Sequence, residues 1–116
     1  MQFKAVHRFA RISPTKARLV ADSVRKLPIN DALDLLRNIP QRGATFIDKV
    51  ICSAWANAQQ VDPGLDEDDF RIAEARIDQG PVLKRYRPRA RGATAPIRKP
   101  SSHITIVISD EPLKTK

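Results

Sequence analysis

Residues 80–103, GPVLKRYRPRARGATAPIRKPSSH, restrict what this chain can fold into more than any other stretch. They carry Lys84, Arg85, Arg87, Arg89, Arg91, Arg98 and Lys99, and no acidic residue lies between Gln79 and Ser109. From Lys84 to Lys99 the only sizeable apolar side chains are Tyr86 and Ile97, so the segment has little to bury. Pro88, Pro96 and Pro100 lack the N–H that a central strand must donate. Strand-forming residues stand just outside, at Val82 and Leu83 before it and in HITIVIS (103–109) after it. The arrangement predicts a long hairpin arm at about 80–103. Eleven residue steps from Pro81 to Gly92 would extend roughly 35 Å at about 3.3 Å each. A compact domain of about 100 residues has a radius of gyration near 13 Å. A two-stranded ribbon without an apolar face is marginal alone in water, which implies a partner that holds it.

The charge balance names the chemistry of that partner. The 116 residues include 21 Lys and Arg against 13 Asp and Glu, a net charge of +8; without the seven arm cations the count is 14 against 13. Residues 1–30 hold seven bases and one acid, whereas residues 31–78 hold five bases and ten acids. Two basic blocks therefore flank an acidic middle. If the first strand and helix lie beside the root of the arm, Arg8, Arg11, Lys16 and Arg18 join its cations on one face, suited to a polyanion. Five of the seven arm charges are arginine, whose planar fork binds phosphate oxygens in pairs and stacks on bases. A membrane surface fits less well. The longest uncharged run, residues 50–61, is too short to span a bilayer, and the arm lacks the apolar stripe of an interfacial helix. The N-terminal residues lack the uninterrupted apolar core of a secretory signal. The single cysteine, Cys52, suits a reducing cytosol and reads as a small buried hydrophobe within a helix.

Along the chain, residues 2–12 alternate as a strand, with Phe3, Ala5 and Phe9 on one phase, His7 falling in with them, and Lys4, Val6 and Arg8 on the other. Ser13 followed by Pro14 is a strong helix start, and Ala17, Val20, Ala21, Val24 and Leu27 give a helix over about 14–26 with an apolar stripe. Its other face carries Lys16, Arg18 and Arg25. Asn30 is expected to cap a short second helix with Ala32, Leu33, Leu36 and Ile39 inward, ended by Pro40. A third helix is expected over about 41–60, with Gly43, Ile47, Val50, Ile51, Ala54 and Ala58 inward and Trp55 at the core edge. Residues 62–69, DPGLDEDD, read as a solvated acidic turn without the ligand spacing of a calcium loop, on the side away from a polyanion. Residues 70–78 read as a strand whose phase changes near Ile72 and Ala73, the mark of a bulge. Ile104, Ile106 and Ile108 alternate in the clearest strand of all. The expected fold is α+β: a small, mainly antiparallel three-stranded sheet packed on three helices, with a long protruding β-hairpin, in a single nucleic-acid-binding domain spanning 1–116.

No catalytic constellation stands out. His7 and His103 are far apart, Cys52 lies in an apolar helical context, and neither a glycine-rich phosphate loop nor a metal-ligand spacing occurs. His103, at a strand start, is a candidate phosphate contact. The chain reads as a binding protein rather than an enzyme, with no cofactor, no membrane and no homo-oligomer expected. A regulatory nucleic-acid binder acting on DNA or messenger RNA is the competing class.

The segments RISPTKARLVAD (11–22), SAWANA (53–58), DQGPVLKRYRPRARG (78–92) and SSHITIVIS (101–109) together resemble the bacterial large-subunit ribosomal proteins of the universal L-twenty-two family, over essentially the whole chain. The resemblance implies a structural ribosomal protein with a globular domain near the exit of the nascent-chain tunnel. It further implies a β-hairpin that penetrates large-subunit ribosomal RNA and a tip that helps line the tunnel wall. Large-subunit ribosomal RNA, neighbouring ribosomal proteins and the nascent peptide are the implied partners, and early subunit assembly the implied role. Lys84, Arg85, Pro88, Arg89 and Gly92 match the family's hairpin, whereas Ala93 and Pro100 stand where basic residues are usual. The candidate RNA-binding residues are thus Arg8, Arg11, Lys16, Arg18, Lys84, Arg85, Arg87, Arg89, Arg91, Arg98, Lys99 and His103, with Arg91, Gly92, Ala93 and Thr94 at the tip.

Overall fold

A computed structural model of the chain describes residues 2–88, 90–92 and 94–110, and the side chains of residues 83, 85, 87 and 94–98 fall outside that description. The elements run β1 (Gln2–Ala10), α1 (Pro14–Val24), α2 (Ile29–Asn38), α3 (Arg42–Val61), β2 (Arg71–Gln79), β3 (Leu83–Pro88), β4 (Thr94–Lys99) and β5 (Ser102–Ser109). Short 3₁₀ turns occur at Glu67–Asp69 and Ala90–Gly92. The fold is the expected α+β arrangement: three helices against an antiparallel sheet of order β1-β5-β2. The last strand is central. Ile104, Ile106 and Ile108 of β5 are fully buried and meet Ile47, Ile51 and Ala54 of α3 and Val20 and Val24 of α1 in one core.

Local chemistry explains most element boundaries. The Ser13 hydroxyl accepts the Lys16 backbone N–H at 3.4 Å, and Pro14 occupies the first turn of α1, as the sequence predicts. The expected cap of α2 is corrected: the helix starts at Ile29 behind Pro28, not behind Asn30. Pro28 is already extended and its carbonyl accepts the Ala32 N–H at 2.9 Å, so the backbone opens the helix while the Asn30 amide turns to Asp68. Ile39 ends α2 as a half-buried cap. In α3 the predicted stripe is buried, and Gly43 permits close packing, since a Cβ there would stand 3.0 Å from Ile12 Cδ1. Trp55 is half-buried at the core edge, its ring 5.3 Å from that of Phe70. Cys52 is exposed, not buried: one residue beyond Ile51, it is turned about 100° off the inward stripe.

Both outer strands are irregular. In β2 the register shifts between Ile72 and Glu74, the expected bulge. In β1 it shifts between His7 and Ala10, which the alternation did not predict: Ala10 is buried and Phe9 is exposed. The strand also ends at Ala10 rather than Ile12, where the Ile12 N–H bonds back to the Ala10 carbonyl at 2.9 Å.

The open edge of β2 is covered by the chain between α1 and α2. Lys26 N–H donates to the Ile72 carbonyl, Ile72 N–H to the Leu27 carbonyl and Ile29 N–H to the Phe70 carbonyl, at 3.0, 2.9 and 3.2 Å. Further along, Arg25 donates through Nε and Nη2 to the Ala75 carbonyl at 3.1 and 2.9 Å, and Arg18 Nη2 donates to the Ile77 carbonyl at 3.2 Å. An edge that would otherwise template another strand is thereby occupied.

β3 and β4 pair only with each other, in register from Leu83 opposite Lys99 to Pro88 opposite Thr94. Their root is clasped. Gly80 N–H donates to the Ser101 carbonyl at 2.9 Å and the Ser101 hydroxyl to the Pro81 carbonyl at 2.6 Å. A Cβ at Gly80 would lie 2.6 Å from the Ser101 hydroxyl oxygen, so the clasp requires glycine. At the far end Arg91 and Gly92 turn the chain with φ of 64° and 73°.

Candidate nucleic-acid interface

A groove of about 750 Å³ opens where the two-stranded ribbon meets the helices. Arg11 enters it from the turn after β1, Lys16 from the first turn of α1, Arg42 from the first residue of α3, and Lys99 from the last residue of β4. Among the described residues no acidic side chain lines it, while Ser13 and Ser101 supply hydroxyls and Leu19, 63% exposed, supplies an apolar wall. Four cations drawn from four parts of the sequence thus face one cleft, an arrangement suited to a chain of phosphates. The starts of α1 and α3 add partial positive charge.

The acidic loop lies at the other end of α3. That helix begins at the groove and has 20 residues, so its end at Val61 stands about 30 Å away, where Asp62 starts the loop.

The structure brings Arg11, Lys16 and Lys99 together in one groove and adds Arg42, which sequence reasoning passed over. The signal for Arg42 was a cation at a helix start, where the dipole favours an acid. Its guanidinium also lies 5.6 Å from the Phe46 ring centroid. Arg18 does not line the groove; one of its nitrogens is committed to the β2 edge. Arg8 sits on β1 above a smaller hollow of about 270 Å³ that also takes in His7, Lys49 and Ser53. His103 is half-buried in β5, and its Nδ1 accepts the Phe9 N–H at 3.1 Å.

In the ribbon, Lys84 and Arg91 are exposed. The backbones of Arg85, Arg87 and Arg98 belong to the paired strands, and Thr94 begins β4; Arg89 and Ala93, expected in the arm and at its tip, lie outside the described residues. The register sets Lys84 opposite Arg98. Among the described residues no cluster of three or more His, Cys, Asp or Glu is placed to hold a metal ion, and no helix is long and apolar enough to cross a membrane.

A groove lined by four cations at the root of a two-stranded ribbon, set on a small α+β domain, is a surface of the kind suited to an extended polyanion. Comparison with known proteins makes this specific. The profile of the family described as Ribosomal protein L22p/L17e matches residues 5–109. The large ribosomal subunit protein uL22 of Maridesulfovibrio salexigens is 43% identical over 110 residues, covering 95% of this chain and 99% of that protein. The chain belongs to the ribosomal protein L22p/L17e family. It is accordingly a structural ribosomal protein of the cytoplasm and not an enzyme.

Proposed function

We propose that the whole chain acts as one RNA-binding unit of the large ribosomal subunit, seated on ribosomal RNA through the groove and through a ribbon that stands off the domain as an arm. The observation that carries this reading is the meeting of Arg11, Lys16, Arg42 and Lys99 at the ribbon root, which makes the two basic surfaces continuous. The dimensions support the arm: the chain measures 64 × 27 × 24 Å with a radius of gyration of 17.3 Å, where a compact domain of this length would have about 13 Å. Folded RNA is recognised through shape, phosphates and 2′-hydroxyls, which suits arginine and lysine on an extended element.

The relative's name places that protein in the large subunit, and family membership extends the same seat, with neighbouring ribosomal proteins around it, to this chain. The arm's tip at Arg91 and Gly92 then reaches the nascent-peptide tunnel, and the early hold on RNA contributes to subunit assembly. No homo-oligomer is needed for this role.

The test is binding of the purified chain to a large-subunit RNA transcript across a salt series, together with co-sedimentation with large subunits. The seven arm contacts contribute roughly −5 to −6 to the slope of log affinity against log salt, at about 0.7 to 0.9 per phosphate, and Arg11, Lys16 and Arg42 bring it to about −7 to −9. Replacing Arg11, Lys16, Arg42 and Lys99 together by glutamine should flatten the slope by about 3. An unchanged slope, or a protein found mainly on DNA, would overturn the reading.

A further inference from the structure

The bulge in β1 presents an aromatic ring that the core does not use. Where the ladder with β5 slips between His7 and Ala10, Phe9 takes φ 61°, the left-handed region that bulky side chains rarely enter. Burial does not compensate, because Phe9 remains 57% exposed. The conformation is nonetheless fixed from behind. The Phe9 N–H donates to His103 Nδ1 at 3.1 Å, and the two rings meet edge to face with centroids 4.9 Å apart at 87°. The Arg8 guanidinium lies 5.7 Å from the Phe9 centroid, and Arg11, two residues on, lines the basic groove.

A core aromatic would be buried and an incidental surface aromatic would have relaxed backbone; Phe9 has neither property. Local strain kept by specific contacts is a feature of binding sites. A positioned, exposed aromatic ring among cations is the recurring means of holding an unpaired base, since every base has a π-face to stack.

We propose that Phe9 is a stacking platform for an unpaired nucleobase, with His103 fixing the ring and Arg8 and Arg11 taking the flanking phosphates. The inference rests on the RNA-binding reading above. It differs from the arm and groove contacts in being independent of charge, and that difference provides its test.

The full chain and its Phe9→Gly and Phe9→Tyr variants are titrated with the large-subunit RNA transcript across a salt series. Glycine is at ease at this φ, so Phe9→Gly removes the ring while keeping the turn, as a thermal melt will verify. If it fails to fold, Phe9→Asn, which also tolerates the left-handed region, replaces it. Loss of one stacked base should weaken binding roughly 5- to 150-fold, the equivalent of about 1–3 kcal/mol, with the salt slope unaltered. Phe9→Tyr should bind like the parent. Parental affinity for the glycine or asparagine variant, as expected of a ring that contacts a protein neighbour instead, would overturn the platform while leaving the RNA-binding reading intact. A loss accompanied by a flattened slope would also overturn it. Failure of the parent chain to bind RNA would remove the reading on which it rests.

Discussion

At the scale of single residues, the cations of α1 and its C-terminal cap serve different ends. Arg25, just past the end of α1, places two donors on the Ala75 carbonyl and also pairs with Asp22, whereas Lys16 in the first turn faces the groove. Arg25→Ala should lower stability by about 1 to 3 kcal/mol, from two bonds of about 0.5–1.5 kcal/mol each, and leave RNA affinity within twofold; thermal unfolding and filter binding read the two effects. Cys52 offers a second check. Partial burial, then the hydrogen bond its thiol gives to Asp48 Oδ1 at 3.4 Å and the charge of that carboxylate, push the thiol pKa up. Removing the carboxylate lowers it, so Asp48→Asn should speed alkylation of Cys52 severalfold at mildly alkaline pH. Residue roles of this kind were only partly legible in the sequence. Ser13 and Pro14 declared their turn because capping depends on near neighbours. The carbonyl partners of Arg18 and Arg25 lie 59 and 50 residues away and carry no local trace.

At the scale of elements, periodicity did well wherever one face meets the core. The stripe of α3, the alternating isoleucines of β5 and the bulge at Ile72 follow from apolar spacing alone. The alternation of β1 broke down at Phe9, because a slip in the ladder reverses which residues face inward and Phe9 and Ala10 are both apolar. The ribbon was recognisable from charge and proline, yet its root was not: the Gly80–Ser101 clasp joins positions that look like ordinary turn residues. Gly80→Ala should force the Ser101 hydroxyl aside and release Pro81, at a penalty of about 1–3 kcal/mol for an overpacked site. Hydrogen exchange should then quicken at the Gly80 amide while α3 keeps its protection. Equal protection at that amide in both proteins would show that the clasp does not depend on the missing Cβ.

At the scale of the molecule, charge separation follows from one long helix with a groove of cations at its start and an acidic loop beyond its end. The groove itself could not be assembled from sequence, since its four cations span residues 11 to 99 and only folding places them together. Small-angle scattering of the free protein at moderate salt should give a radius of gyration near the 17.3 Å of the structure. A value near 13 Å would mean that the ribbon lies back against the domain.

The central place of β5 has a further consequence, for the order in which the protein comes into being. β1 and β2 touch the sheet only through β5, so the first 101 residues of a growing chain contain both outer strands and no strand to join them. Helices formed during synthesis, at about 5–20 residues per second, would shelter the core until Ser102–Ser109 emerges. The ribbon is made before the sheet it springs from can close. Completion of the domain is therefore a late, non-local event.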